Sequence, residues 1–309
     1  MKNSYTVNLK PSYSNQFFSY QIALQSSWLR GFLLVGMLLI TTLLTAQTWE
    51  RFFDISSHDF SKSIHQAADG DVLVLANVGN GTDVSDVYLL KMNADGDSLW
   101  SKTFGGSSYD EAEQLIFTSD GNYLILGYSF SFGNNGQFYL IKIDTAGNLI
   151  WERNYGGIGF DRGRTLVETT DGDFVLAGWT RSPIGGDISQ GPFGPLDVFD
   201  GWVLKVDANG DPIWDLRVGG EEKDEFHKVA PAADGGVVMV MNTSSPNLVN
   251  NLGNDIYTLA LDTDGNTVWD EAYGGIEYEE VFSIIQTNNG GYAIAVSYTH
   301  LTLPTILLV

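Results

Sequence analysis

Residues 120–129 read DGNYLILGYS, and residues 137–157 read QFYLIKIDTAGNLIWERNYGG. Runs of β-branched, aromatic and aliphatic residues alternate here with Asp-Gly and Ala-Gly-Asn turn sequences, which is the pattern of β-hairpins. Together with YDEAEQLIFT at residues 109–118, they predict four short strands joined by tight turns. Because one four-stranded sheet exposes two apolar faces, such a unit needs neighbours to stack on.

The same unit recurs along the chain. Tryptophans follow one another at intervals of 51, 51, 63 and 55 residues, and so do the Asp-Gly turns from Asp69 to the Asn-Gly variant at Asn289. Two unrelated markers with one set of intervals establish a repeat of about 50 residues. The tryptophan markers are Trp49, Trp100, Trp151, Trp214 and Trp269.

Four short strands in a repeat of about 50 residues are typical of the blades of a β-propeller. We therefore predict an all-β chain in which four blades are complete and one is partial, so that the ring is incomplete. The predicted repeat region is 47–296, with blades at about 57–106, 107–157, 158–220, 221–275 and, for the partial blade, 276–296.

The repeat also resembles a known family. Residues 171–180 read DGDFVLAGWT and residues 200–220 read DGWVLKVDANGDPIWDLRVGG. Units of the form DGGYxxAGxT…DxYLIKxDxxGNxxWxKxYGG resemble propeller repeats of secreted bacterial and archaeal surface proteins, and the tryptophan strand is similar to that of quinoprotein-type, tryptophan-docking propellers. This resemblance covers residues 48–296. It implies that the tryptophan strand is outermost and that the strand beginning near Asp110 lines the central channel.

The N-terminal segment predicts export. Residues 1–30 carry three basic residues and no acid, and an apolar run, GFLLVGMLLITTLL, follows at residues 31–44. A basic segment, a short apolar run and a small-residue end at Ala46 form a secretory signal peptide, whereas a membrane span needs about 20 apolar residues. We predict a signal peptide over 1–46, a secreted or cell-surface location, and no membrane span in the mature chain.

The last residues break the repeat. Residues 297–309 (SYTHLTLPTILLV) contain no acid and no glycine, and the expected third and fourth strands of the partial blade do not follow. We expect these residues to be a non-native tail on a truncated fragment, and we expect the natural protein to continue with further blades.

Composition excludes several classes of function. With 38 acidic and 16 basic residues, the net charge is −22, which disfavours nucleic acid as a partner. The chain has no cysteine, so disulfides and thiolate sites are excluded. It also lacks the G-x-S-x-G, H-E-x-x-H and phosphate-loop motifs, so we expect no catalytic residues and no organic cofactor, and a non-enzymatic role is favoured over an enzymatic one.

An acidic residue recurs shortly after each turn that precedes a blade. If the strand order implied above holds, these acids begin the innermost strands and form an arc at one channel mouth. One interpretation is cation binding, with calcium as the cofactor, since hard cations take oxygen ligands. The other, which recurrence in every blade favours, is that each carboxylate accepts hydrogen bonds from its own turn. The acids are Asp59, Asp110, Asp161, Asp224 and Glu279.

Two expanded loops lie between the second and third strands of their blades, at residues 181–200 and 242–255. Such loops share one face of a propeller with the acidic arc, and loops on a rigid scaffold commonly carry binding specificity. Phe132, Trp179 and Phe193 lie in or next to loops of this face. Exposed aromatic rings beside carboxylates would suit a sugar ring.

The sequence therefore predicts an exported, non-enzymatic β-propeller module that binds a glycan, a matrix component or another surface protein. Two alternatives remain open: part of a secreted polysaccharide-degrading enzyme, and a structural spacer in a large surface protein.

Overall fold

The structure is a computed structural model, which describes residues 50, 52–53, 55–56, 58–67, 69–79, 84–133, 135–249, 253–275, 278–298 and 305–308. The chain divides into two units, residues 1–49 and residues 50–309. The predicted signal peptide and Trp49 lie outside the described residues. All the described strands belong to the second unit.

The described residues contain strands and no helix, and the strands form five antiparallel sheets. The first sheet contains β1 (His58–Gln66), β2 (Val72–Gly79), β3 (Ser85–Met92) and β4 (Ser98–Phe104). The second contains β5 (Asp110–Phe117), β6 (Tyr123–Ser129), β7 (Gln137–Ile143) and β8 (Leu149–Tyr155). The third contains β9 (Asp161–Glu168), β10 (Phe174–Thr180), β11 (Asp200–Val206) and β12 (Pro212–Val218).

The remaining sheets continue this order. The fourth contains β13 (Asp224–Pro231), β14 (Val237–Thr243), β15 (Asp255–Leu261) and β16 (Thr267–Tyr273). The fifth contains β17 (Glu279–Gln286), β18 (Tyr292–Tyr298) and β19 (Thr305–Leu308), with β19 antiparallel to β18. We call the sheets blades 1 to 5. The expectation that residues 297–309 are a non-native tail stays a prediction.

The first strand of each blade is innermost. Within every sheet the strands follow chain order, and the first strands of consecutive blades contact one another. The fourth strand, which carries the repeat tryptophan, lies at the opposite edge of the sheet. This is the blade arrangement of a β-propeller, so the predicted all-β propeller fold is confirmed. No helix in the described residues is long and apolar enough to cross a membrane.

The apolar core lies between blades. The middle strands β6, β7, β10 and β11 are buried almost throughout, because a neighbouring sheet covers each face. Between blades 2 and 3, for example, Leu126, Phe138, Leu176 and Trp202 are all completely buried. Burial on both faces explains why these strands read as apolar runs such as YLILGY rather than as alternating apolar and polar residues.

In blades 1 to 3, the outer-strand tryptophan packs against a turn glycine of the next blade. A Cβ added to Gly147 would lie 3.0 Å from the ring of Trp100, and one added to Gly210 would lie 3.3 Å from the ring of Trp151. Both glycines have positive φ, 78° and 84°, so the turn and the ring contact demand glycine independently. The tryptophan and this glycine therefore recur together because they form the two halves of one contact between blades.

The substitution Trp151→Ala is expected to destabilise the chain by roughly 3 kcal/mol, because it leaves a cavity where the ring meets the next blade. Trp269→Ala is the matched control. Among the described glycines none lies against Trp269, whose ring lines an open cavity of about 240 Å³. Urea unfolding should show a clearly smaller loss for Trp269→Ala, and equal losses would contradict the docking role.

Candidate functional site

The recurring acids bind the connection that leads into their own blade. Asp161 is fully buried and accepts hydrogen bonds from the Gly157 amide at 2.8 Å, the Thr180 hydroxyl at 2.5 Å and the Ser182 hydroxyl at 2.8 Å. A Cβ at Gly156 would lie 2.3 Å from the Asp161 carboxylate, at a φ of 150°. The Gly-Gly sequence is thus needed for the close approach of backbone and acid.

The other acids follow this arrangement. Asp224 accepts from the amide of Gly220 and from two hydroxyls, and Asp59 accepts from the amides of two residues before its strand. Asp110 accepts from the Gly106 amide and the Ser131 hydroxyl, while its Oδ1 is buried without a partner. Glu279 accepts from the amide of Gly275 at 3.5 Å.

These hydrogen bonds agree with the second interpretation of the acids, in which each carboxylate accepts hydrogen bonds from its own turn. The described residues contain no group of three or more His, Asp or Glu side chains that could hold a metal ion. Calcium binding by the arc stays a prediction, and we base no function on it.

Burial changes the protonation of Asp224. Desolvation raises the pKa of Asp224 to about 6, although hydrogen bonds from the Thr243 and Ser245 hydroxyls and the Gly220 amide oppose this effect. The neighbouring carboxylate of Asp200 raises the pKa further. The folded protein therefore holds this proton at a pH where the unfolded chain has released it.

Asp224→Asn is expected to weaken the pH dependence of stability. Stability from the retained proton is complete below the unfolded pKa of 3.8 and is lost as the pH rises through about 6. Urea unfolding at about pH 4 and pH 7 should show a decline in the wild type that exceeds the decline in Asp224→Asn by on the order of 2 kcal/mol. Asp264→Asn, on an exposed turn, is the control. An unchanged decline in Asp224→Asn would contradict the assignment.

Every innermost strand contains a β-bulge at the same repeat position. The register between the first and second strands shifts once in each blade, and the skipped residues again lie 51, 51, 63 and 55 residues apart. A bulge redirects the side chain at that position. The skipped residues are Lys62, Glu113, Arg164, His227 and Phe282.

These positions carry different side chains in every blade, and those of blades 1 to 3 join neighbouring innermost strands through ion pairs. Lys62 of blade 1 lies 3.4 Å from Glu113 of blade 2, which also binds Arg162 of blade 3. Arg164 of blade 3 binds Glu225 of blade 4. Burial raises the pKa of Glu113, but Arg162 outweighs it and lowers that pKa below its ordinary value.

The channel wall is thus a set of unique residues on a repeated backbone. Sequence reasoning missed these residues because it sought markers shared by all blades. The signal was present in the sequence: three residues after each recurring acid, the repeat places a different side chain in every unit.

A row of aromatic rings runs from blade 2 across blade 3 towards blade 4. Tyr128, Phe160, Trp179 and Phe199 follow one another with ring centroids 5.7, 4.7 and 4.8 Å apart. Trp179 is only 6% exposed and stacks on Phe199, so it supports the row from beneath rather than presenting its own ring to solvent.

A cavity of about 770 Å³ lies where this row ends, between blades 3, 4 and 5. Phe199 and Tyr278 supply its aromatic surface, and asparagine and serine side chains add polar surface. Its charged and titratable lining residues are Arg164, Lys223, Glu225, His227 and Glu280. Arg164 and His227 are two of the bulge residues, so the bulges direct side chains into the cavity.

The charged residues of the cavity include an ion pair, Arg164 with Glu225, and an exposed cation, Lys223. Glu225 binds Arg164, and its carboxylate lies 3.8 Å from the imidazole of His227. Burial lowers the pKa of His227, with partial opposition from Glu225, so the imidazole is neutral at pH 7. Lys223 is exposed and lies over the ring of Phe199, 5.8 Å from its centroid.

None of the predicted site residues is among the residues that line this cavity. Phe132 is 43% exposed and packs on Tyr139, with ring centroids 5.3 Å apart. Phe193 is 51% exposed in the expanded loop, where its amide donates to Asp200 at 3.2 Å. Of the three predicted aromatic residues, Trp179 alone contacts a residue that lines the cavity.

No protein-family model matches this sequence. Among curated proteins, the regulatory protein FlaEY of Caulobacter vibrioides is 28% identical over 158 residues. The match covers 47% of this chain and 16% of that protein, so the chain corresponds to a small part of its length.

Solved structures resemble the chain at low identity. A protein of unknown function from Dyadobacter fermentans matches with a TM-score of 0.50 and 14% identity, covering 80% of this chain and 78% of that one. The WD40 domain of Neurospora crassa Pan2 gives a TM-score of 0.47 and 12% identity, covering 80% and 60%. Likeness at such identities concerns the fold alone, and it assigns no ligand to this chain.

Proposed function

We propose that this chain is an exported, non-enzymatic binding module and that the cavity at its channel mouth binds a saccharide. The observation that carries the proposal is the pairing of two aromatic rings with hydrogen-bonding side chains in one depression. The exported location rests on the sequence of residues 1–46, and the family resemblance to secreted surface proteins supports it.

The size and lining of the cavity favour a small organic ligand. Its volume of about 770 Å³ falls within the usual range for ligand sites, roughly 300–1,000 Å³. Phe199 and Tyr278 offer apolar faces, which the C–H surface of a sugar ring can cover. Donors on Arg164 and Lys223 and acceptors on Glu225 match the mixed hydroxyl groups of a sugar.

The cavity is also held in a fixed shape. Arg164 and His227 project from β-bulges on paired strands, and Arg164 is bound by Glu225. Phe199 is stacked on the buried Trp179. A rigid site loses little conformational freedom when it binds, which favours affinity. Rigid placement of varied side chains supports selective binding over a role as a spacer.

Tyr278→Ala is expected to weaken saccharide binding by about tenfold, because it removes one of the two aromatic faces. Tyr278 is 55% exposed, so the substitution should leave the fold intact. The measurement is a glycan array on the full chain, followed by calorimetric titration of the saccharides that bind.

Phe117→Ala is the matched control. Phe117 is 51% exposed and ends β5, at the opposite end of the innermost strands from the cavity. It should bind like the wild type. Absence of binding to every saccharide on the array, or equal affinity of the wild type and Tyr278→Ala, would refute the proposed function.

A further inference from the structure

We infer that the saccharide is acidic and that its anionic group, a carboxylate or a sulfate ester, binds between Arg181 and Lys223 beside Phe199. This inference rests on the proposed function and names the chemical class of its ligand. It depends on Lys223, which lines the cavity, and on Arg181, which lies beside the same ring of Phe199.

Both cations lie close to Phe199. The Arg181 guanidinium carbon is 5.4 Å from the centroid of Phe199 and 5.6 Å from that of Trp179. The Lys223 ammonium is 5.8 Å from the centroid of Phe199. An aromatic face attracts a cation without neutralising it, so the cation can still attract an anionic ligand. Both cations therefore lie near one ring, and both attract an anion that binds beside Phe199.

Neither cation has a protein counter-ion among the described residues. Ion pairs there include Lys62, Arg162 and Arg164 of the channel wall and buried Arg217, but not Arg181 or Lys223. The Nε atom of Arg181 is buried and donates no hydrogen bond.

The positions of the surrounding acidic residues make the distribution of charge around the cavity asymmetric. Glu221 and Glu222 precede Lys223 and are exposed to solvent, where water screens them. Glu225 is engaged by Arg164. Glu280 lies on the blade 5 side with Tyr278, across from the two cations. An acidic sugar can donate hydroxyl hydrogen bonds to Glu280 and place its anionic group between Arg181 and Lys223.

Pairs of saccharides that differ only in the anionic group test this inference at constant ionic strength. That control matters because the net negative charge of the protein repels an anion over long range, while the two cations attract it at contact. The probes are uronate oligosaccharides with their neutral methyl esters, and sulfated oligosaccharides with their desulfated forms. The two pairs distinguish a carboxylate from a sulfate ester.

We expect the acidic member of a bound pair to bind roughly tenfold tighter than its neutral form. Lys223→Met and Arg181→Gln should each remove most of that advantage, so that the acidic form of a pair binds little better than its neutral form. Arg181→Lys, which keeps the charge, should retain part of it. Lys102→Met, on the outer strand β4, should retain all of it.

The outcomes separate the two proposals. If neutral saccharides bind in a Tyr278-dependent manner and acidic forms bind no better, the acidic ligand is excluded while the binding function stands. If the acidic preference survives in the double variant Lys223→Met, Arg181→Gln, the assigned cations are wrong. If no saccharide binds, both proposals fail.

Discussion

Burial of both faces of blades 2 to 4 is the constraint on which the rest of this structure depends. A four-stranded sheet of runs such as YLILGY has no polar side to present to water, so each blade is stable only against its neighbours. Three recurring contacts secure that stacking. They are the apolar cluster between blades, the tryptophan on the turn glycine of the next blade, and the buried carboxylate on the incoming connection.

Because the repeated residues make these contacts, the residues facing the channel can differ from one blade to the next. The bulge positions show the consequence: Glu113, Arg164 and His227 occupy equivalent places and have nothing in common chemically. The repeat thus conserves a backbone feature while the side chain on it varies. Residues that recur in all blades serve the fold, and the unique ones are available for binding.

The candidate cavity draws on three blades that are far apart in sequence. Arg164 and Phe199 come from blade 3, Lys223 and Glu225 from the start of blade 4, and Tyr278 from the start of blade 5. Innermost strands and the connections before them converge at the channel mouth, so the cavity is a product of blade stacking. Its charge distribution arises in the same way, with Lys223 beside Phe199 on one side and Glu280 on the other.

The amino-acid sequence alone determined the repeat, the four-stranded unit and the all-β propeller fold, because turn glycines, strand runs and tryptophan spacing are local signals repeated in register. It also named the acids Asp161 and Asp224 and left two interpretations of them open. Their hydrogen bonds to the preceding connection became visible only when backbone and side chain were placed together.

Tertiary structure alone decided the candidate site. The bulges arise from pairing between strands, and the distance between Arg181 and Phe199, or between Arg164 and Glu225, depends on how blades stack. Trp179 illustrates the limit: the sequence places it near the mouth, but only packing shows that it lies beneath Phe199 and is buried. Spacing along a chain predicts which strands recur, whereas a binding site depends on which unique side chains the stacked strands bring into contact.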